Sequence, residues 1–415
     1  MSPVNALKII LLSLGLFILV SLLSSSLHHR DLDSDYEAGQ LSAINNQFPK
    51  IPGPTVDWPR LEQRSQYYVL RDYVKASKVF MESVTLCAPG DIRFLDNMVV
   101  LAQRWFAPIS VALYAPGNDF FATLEAIAYL RSCTVPEIKI FVNFHLFFDF
   151  DHIPKGTKPL LELYEDTYDC SKGPPYKDIK DEDMYKSKNN LLFPINVARN
   201  VARDAARTHF IFPSDIELYP TPNFVNKFLD FVQTHGELFI EGQRNVFVLP
   251  VFEMKEGYDI PSNKTQLQTM IKNKTAFLFH KNICASCHKV VDGNRWITEP
   301  ETEGLNVFSV GKRQGTQVMW EPFYVCTHKE PLFDERMSWE GQANKMSMAY
   351  SLCLLDYDFM VLDNAFLVHK PGIKVKKVQN LKYKNVTDKS TKLLKYHASV
   401  ELKKIYGNNP KCRIM

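Results

Sequence analysis

The chain has 415 residues, 46% hydrophobic and 12% aromatic, enough for one large domain or two modest ones with a full-sized core. Its formal net charge of +3 is close to balance, so composition gives no case for a nucleic-acid partner.

Residues 9–27, IILLSLGLFILVSLLSSSL, run 19 positions without a charge. As a helix they would span about 28 Å at ~1.5 Å per residue, close to a hydrocarbon core of about 30 Å. A cleaved signal peptide would have the same short basic start and small residues, the serines at 24–26, near its end. An uncleaved signal anchor would leave residues 1–8 in the cytosol and place everything after 27 in the lumen. The length of the run favours the anchor, and both readings send the rest of the chain into the secretory pathway. Residues 28–66 are polar and spaced by Pro49, Pro52, Pro54 and Pro59, the pattern of an exposed stem. From about Tyr67 to residue 415 the composition is that of one globular domain.

The first half of that domain alternates. Strands are predicted at 79–87, 109–114, 138–147 and 209–212, with helical spacing at 91–105, 119–132 and 195–207. Strands separated by helices imply βαβ units and an α/β fold with a mostly parallel sheet covered on both faces. The second half is less regular. It has strand-like 246–253, WEPFYV at 320–325, helix-like 341–354 and the apolar run FMVLDNAFLVHK at 359–370. Ligands of parallel sheets bind beyond the carboxyl ends of strands. There the run HFIF leads into Asp215 and Glu217.

Two acids one residue apart after a strand point to the same side. Their oxygens suit Mg²⁺ or Mn²⁺. His369, at the end of another apolar run, could complete such a shell. In PLFDERM, Asp334 and Glu335 occupy a polar turn where a carboxylate could act as general base. Arg199 and Arg203, on the helix before the acid pair, are candidates by charge alone for binding an anion, with a structural role in helix packing as the equal alternative. Lys370 and Lys374 open a lysine-rich tail and could lie near a diphosphate. Cys284-Ala-Ser-Cys287 is better read as a disulfide or structural thiols than as half a metal site. Eight cysteines could pair in an oxidising lumen, and three N-x-[ST] sequons, at Asn263, Asn273 and Asn385, agree with that compartment.

The ordered pieces NVARNVARDAA (196–206), PSDIELYP (213–220), WEPFYV (320–325), PLFDER (331–336) and VLDNAFLVHK (361–370) resemble glycosyltransferase family 49, over roughly residues 67–405. The resemblance implies a GT-A fold in a single catalytic domain behind a type II anchor in the Golgi membrane. It also implies a Mn²⁺-dependent, inverting transfer of glucuronic acid from UDP-glucuronic acid to xylose on an O-mannosyl glycan of dystroglycan. By position, Asp215 and Glu217 match the family's D-x-D metal motif, and His369 matches its late histidine. The family pattern has aspartate where this chain has Glu217, one methylene longer. The alternative is a catalytically silent glycan-binding or partner protein on the same scaffold.

Overall fold

The computed structural model describes residues 60–156, 158–337, 343–373 and 381–415. Its first half is a sheet of β1 (Arg60–Arg64), β2 (Tyr67–Val74), β3 (Val84–Gly90), β4 (Ile109–Tyr114), β5 (Val142–Asp149) and β6 (Phe210–Pro213). The strand order is β1-β2-β5-β4-β3-β6. The four strands β5, β4, β3 and β6 are parallel, and β1 and β2 form an antiparallel edge hairpin. The paired strand β1 falls inside the stretch expected to be stem, so ordered structure has begun by residue 60. The expected span at 9–27 lies outside the described residues.

The alternation of the sequence follows from burial on both faces. Leu86, Val111, Leu113 and Phe144 join Met98, Leu101, Trp105 and Phe120 on one side. Cys87, Ala112, Tyr114 and Phe147 join Val197 and Val201 on the other. The first side is covered by α1 (Met98–Trp105) and α2 (Asp119–Cys133), the second by α3 (Ile195–Ala205). Each Val, Leu, Met or Phe among them contributes about 1.5–3 kcal/mol when fully buried.

The strand predicted at 79–87 begins only at Val84, and three further expected elements are corrected. The strand predicted at 138–147 begins only at Val142. Residues Pro136–Phe141 form a short helix instead, because Pro136 stands at its first position and Ile138 and Phe141 bury one face three residues apart. The single strands expected at 246–253 and 359–370 are each two. Pro250 has no amide proton, so the ladder breaks between β8 (Asn245–Leu249) and β9 (Val251–Met254). The carboxylate of Asp363 accepts the amide protons of Asn306 and Asn364 and bends the chain between β13 (Asp358–Leu362) and β14 (Leu367–His369).

Both breaks move the chain from one small sheet to another. With β7 (Leu218–Pro220), β10 (Ala276–Leu278), β11 (Val307–Gly311) and β12 (Phe323–Val325), these strands make two four-stranded sheets. Their orders are β10-β9-β14-β7 and β11-β13-β8-β12. Helix α4 (Met346–Leu354) follows, preceded by residues 338–342, which lie outside the described residues. Disulfides join Cys133–Cys170, Cys284–Cys287 and Cys353–Cys412, while Cys87 and Cys326 are free and buried.

One buried histidine gives the fold a pH limit. His145 on β5 is fully enclosed. Its Nδ1 accepts the amide proton of Asp72 at 2.8 Å. Its Nε2 contacts Ser110 Oγ at 2.9 Å, and Ser110 donates to the carbonyl of Ala202, so Nε2 carries the proton. Burial pushes the imidazole down to about 4, against the pull of the Asp72 carboxylate and with the help of Arg71. A folded value below the ordinary 6.5 means that the neutral ring's stabilisation is complete above pH 6.5 and is lost as pH falls towards 4. That loss is about 3 kcal/mol. Chemical-denaturation curves taken between pH 7 and 4 should show this decline in the wild type and a shallower one in His145→Gln.

Candidate active site

The strand order reverses beside β3: β4 and β5 lie on one side of it and β6 on the other. Crevices beyond the carboxyl ends of strands at such a point are where open α/β sheets hold ligands. The chain leaves β6 there. The Ser214 amide donates to the carbonyl of Cys87 at 2.9 Å, tying the start of the turn to β3. Ile216 is buried against Gly90, where an added Cβ would stand 3.4 Å from its Cδ1. Its neighbours Asp215 and Glu217 therefore take the other side, and both line a cavity of about 250 Å³.

After the turn the chain becomes β7, antiparallel to β14. Leu218 pairs with His369, and the Lys370 amide donates to the Glu217 carbonyl at 2.8 Å. Backbone register thus brings His369 to Glu217 across 152 residues of chain, with His369 Nε2 at 3.0 Å from Glu217 Oε2. His369 Nδ1 lies 2.7 Å from the Lys370 carbonyl, which can only accept, so Nδ1 carries a proton. The Nε2 side then faces a carboxylate oxygen. That contact needs a proton on one partner, on the ring or on the carboxyl, or a cation between them. The ring is fixed from the side by Phe279, stacked at 5.2 Å.

Asp215 has a different surrounding. Its Oδ1 accepts from Arg199 Nη2 at 2.7 Å and its Oδ2 from Lys345 Nζ at 3.2 Å. Burial alone would raise this carboxyl, but the charges of Lys345 and Arg199 outweigh it and hold Asp215 well below the usual range. Arg199 is placed by its other nitrogen, which donates to Asn196 Oδ1 and Asn344 Oδ1, and by the Phe333 ring beneath it. Lys345 lies 3.8 Å over the centre of Phe323, and burial lowers its ammonium against the pull of Asp215.

The sequence reading gave no role in this site to Lys345, His280, His288 or Glu321, all of which line the cavity. Glu321 was within sight, as the acid of WEPFYV. The histidines flank the cysteine pair, and the Cys284–Cys287 disulfide lies between them in the chain. Burial holds His288 well below its ordinary value, helped by Lys345 and His280, so its ring is neutral.

Other expected site residues fall elsewhere. Arg203 is buried, and its fork donates to the carbonyls of Pro331 and Glu330, so it braces that loop and does not line the cavity. Asp334 does not line it either. Its carboxylate is forked to Arg336, which also holds Glu401. Its carbonyl accepts from Asn196. The candidate base is therefore a brace for the Arg199 helix. Lys370 is paired with Asp96, and Lys374 lies outside the described residues. Of the sequon asparagines, Asn273 and Asn385 are exposed, while Asn263 is half-buried and caps a helix through the Gln266 amide.

Among the described residues no three His, Cys, Asp or Glu side chains already converge as a metal cage. The chemistry of the donors still fits Mn²⁺: two carboxylates and an imidazole line one cavity. The cations that face Asp215 in this structure are the Arg199 guanidinium and the Lys345 ammonium. Among the described residues, no helix is long and apolar enough to cross a membrane.

A family model described as a glycosyl-transferase for dystroglycan matches residues 83–407. The chain is 27% identical to β-1,4-glucuronyltransferase 1 of Homo sapiens over 364 residues, 85% of this chain and 82% of that protein. It is 29% identical to the Danio rerio protein of the same name over 297 residues, 70% of this chain and 67% of that one. To the xylosyl- and glucuronyltransferase LARGE2s of Gallus gallus it is 23% identical over 289 residues, 69% of this chain and 32% of that longer protein. The matched span contains every residue that lines the cavity, from Ile195 to His369, and the chain belongs to the family of glycosyltransferases for dystroglycan, glycosyltransferase family 49.

Proposed function

We propose that this chain is an inverting glucuronyltransferase with a GT-A fold, anchored as a type II protein in the Golgi membrane with its catalytic domain in the lumen. Its donor is UDP-glucuronic acid, and its acceptor is a glycan ending in xylose, as on O-mannosyl chains. The observation that carries this reading is the convergence of Asp215, Glu217 and His369 on one cavity beyond the sheet's reversal point. The relatives' names supply the sugar.

Asp215, Glu217 and His369 would hold Mn²⁺. When bound, Mn²⁺ neutralises charge on the diphosphate oxygens as UDP departs. The chain's own residues provide the rest. Arg199 keeps the acid turn in place. Lys345 presents a positive charge in the same cavity, where a diphosphate or a sugar carboxylate would meet it. Phe279 and His288 wall the cavity with ring surface, Phe323 stacks on His288, and together they limit water.

A second reading has one observation in its favour: Lys345 already neutralises Asp215, as it would in a scaffold that had lost its metal and its activity. Release of UDP by the full-length protein separates the two readings. It should require one donor from a panel of UDP-sugars, a β-xyloside acceptor and Mn²⁺, and should disappear in Asp215→Ala. No release with any donor would leave the silent scaffold. Metal binding has its own readout. Replacing the Glu217 carboxylate by a neutral amide removes its charge beside His369, so Glu217→Gln should weaken Mn²⁺ binding about 10-fold by electron paramagnetic resonance titration. Unchanged binding would show that Glu217 is not a ligand.

A further inference from the structure

Three carboxyl groups line the cavity, and two of them are committed. Asp215 is held by Arg199 and Lys345, and Glu217 contacts His369. The third, Glu321, makes no hydrogen bond or ion pair through its carboxyl to any described residue.

Its backbone, by contrast, is tightly held. The Glu321 amide donates to the Cys287 carbonyl at 2.8 Å, within the loop closed by the Cys284–Cys287 disulfide. The preceding Trp320 is buried, and its carbonyl accepts from the fully enclosed Arg313 at 3.1 Å. Arg313 is itself locked to the carbonyls of Arg413 and Ile414 at the chain's end. Pro322 fixes the next backbone angle, and β12 begins at Phe323. A half-buried carboxyl with a clamped backbone and an unpaired head is unfavourable for folding alone. It is what proton transfer to or from a bound molecule requires.

We propose that Glu321 is the general base that takes the proton of the acceptor hydroxyl. This assignment rests on the glycosyltransferase reading above. As the hydroxyl oxygen forms its bond to C1 of the donor sugar, the bond from C1 to the phosphate oxygen breaks. That electron pair leaves with UDP, the hydroxyl proton passes to the Glu321 carboxylate, and attack from the far face inverts C1. Burial raises the Glu321 carboxyl, which makes it a better proton acceptor, while Lys345 and Arg199 pull the other way and keep it ionisable. Asp334, the base suggested by the sequence, is excluded from this role by its fork to Arg336 and its place outside the cavity wall.

The test uses the full-length protein with UDP-glucuronic acid and a β-xyloside. Glu321→Gln keeps the shape and removes the base. Donor binding by calorimetry should stay within about 3-fold of wild type, while kcat for transfer falls about 10²–10⁴-fold. Glu321→Asp should recover part of that loss. Asp334→Asn should keep kcat within about 3-fold. An active wild type with an unimpaired Glu321→Gln would overturn the assignment alone. Equal losses of donor binding, melting temperature and turnover in Glu321→Gln would also overturn it, by marking the residue as structural. A wild type that transfers no sugar from any UDP donor would overturn the underlying reading, and this assignment with it.

Discussion

The Arg199 guanidinium holds the site together. It is nearly fully buried, and a buried charge is tolerated only when it is paired and hydrogen-bonded. Its planar fork meets that demand with the Asp215 carboxylate, the Asn196 side chain and the Asn344 side chain, over the face of Phe333. Asn196 in turn donates to the carbonyls of Asp334 and Asn344. Three segments far apart in sequence, at 215, 333–334 and 344, are thereby fastened to one helix. Lysine would supply the charge but not the fork.

The cavity keeps groups of like chemistry in unlike states. Burial acts on all of them, but their neighbours differ. Asp215 is held low by two cations, Glu321 is raised because none is bonded to it, and the Lys345 ammonium and the His288 imidazole are pushed down by the same enclosure. Separating the proton affinities of paired groups in one pocket is how a single site can hold a charge at one point and accept a proton at another. Committed carboxylates can bind, whereas the uncommitted one can react.

Local pattern made much of this legible. β4 runs over 109–114 as its apolar alternation requires, and the acid pair follows a buried strand as expected. Asp215, Glu217 and His369 were visible at the ends of apolar runs and Arg199 on the helix before the acid pair, and they meet. What was hidden depends on pairing between distant segments. Asp334 looked available until Arg336, two residues on, was seen to hold it. Arg203 differs from Arg199 by one helical turn, which is enough to aim it at the 330–331 carbonyls. Lys345 follows a stretch without apolar periodicity, so no pattern marks it. The breaks at Pro250 and Asp363 carry turn chemistry that was outweighed by the apolar residues on either side.

The pairing of β7 with β14 gives the cavity an all-or-none character. Glu217 and His369 meet because Leu218 opposes His369 and the Lys370 amide meets the Glu217 carbonyl. Side chains of a strand alternate faces with a period of two, so a shift of one residue turns His369 from the cavity to the opposite side. Substitution on these strands can weaken the contact by degrees, but insertion or deletion of one residue between 213 and 218, or between 363 and 367, removes it whole. Divergence within this scaffold is therefore confined to changes that conserve length in those two short segments, while the loops beyond them are free to grow.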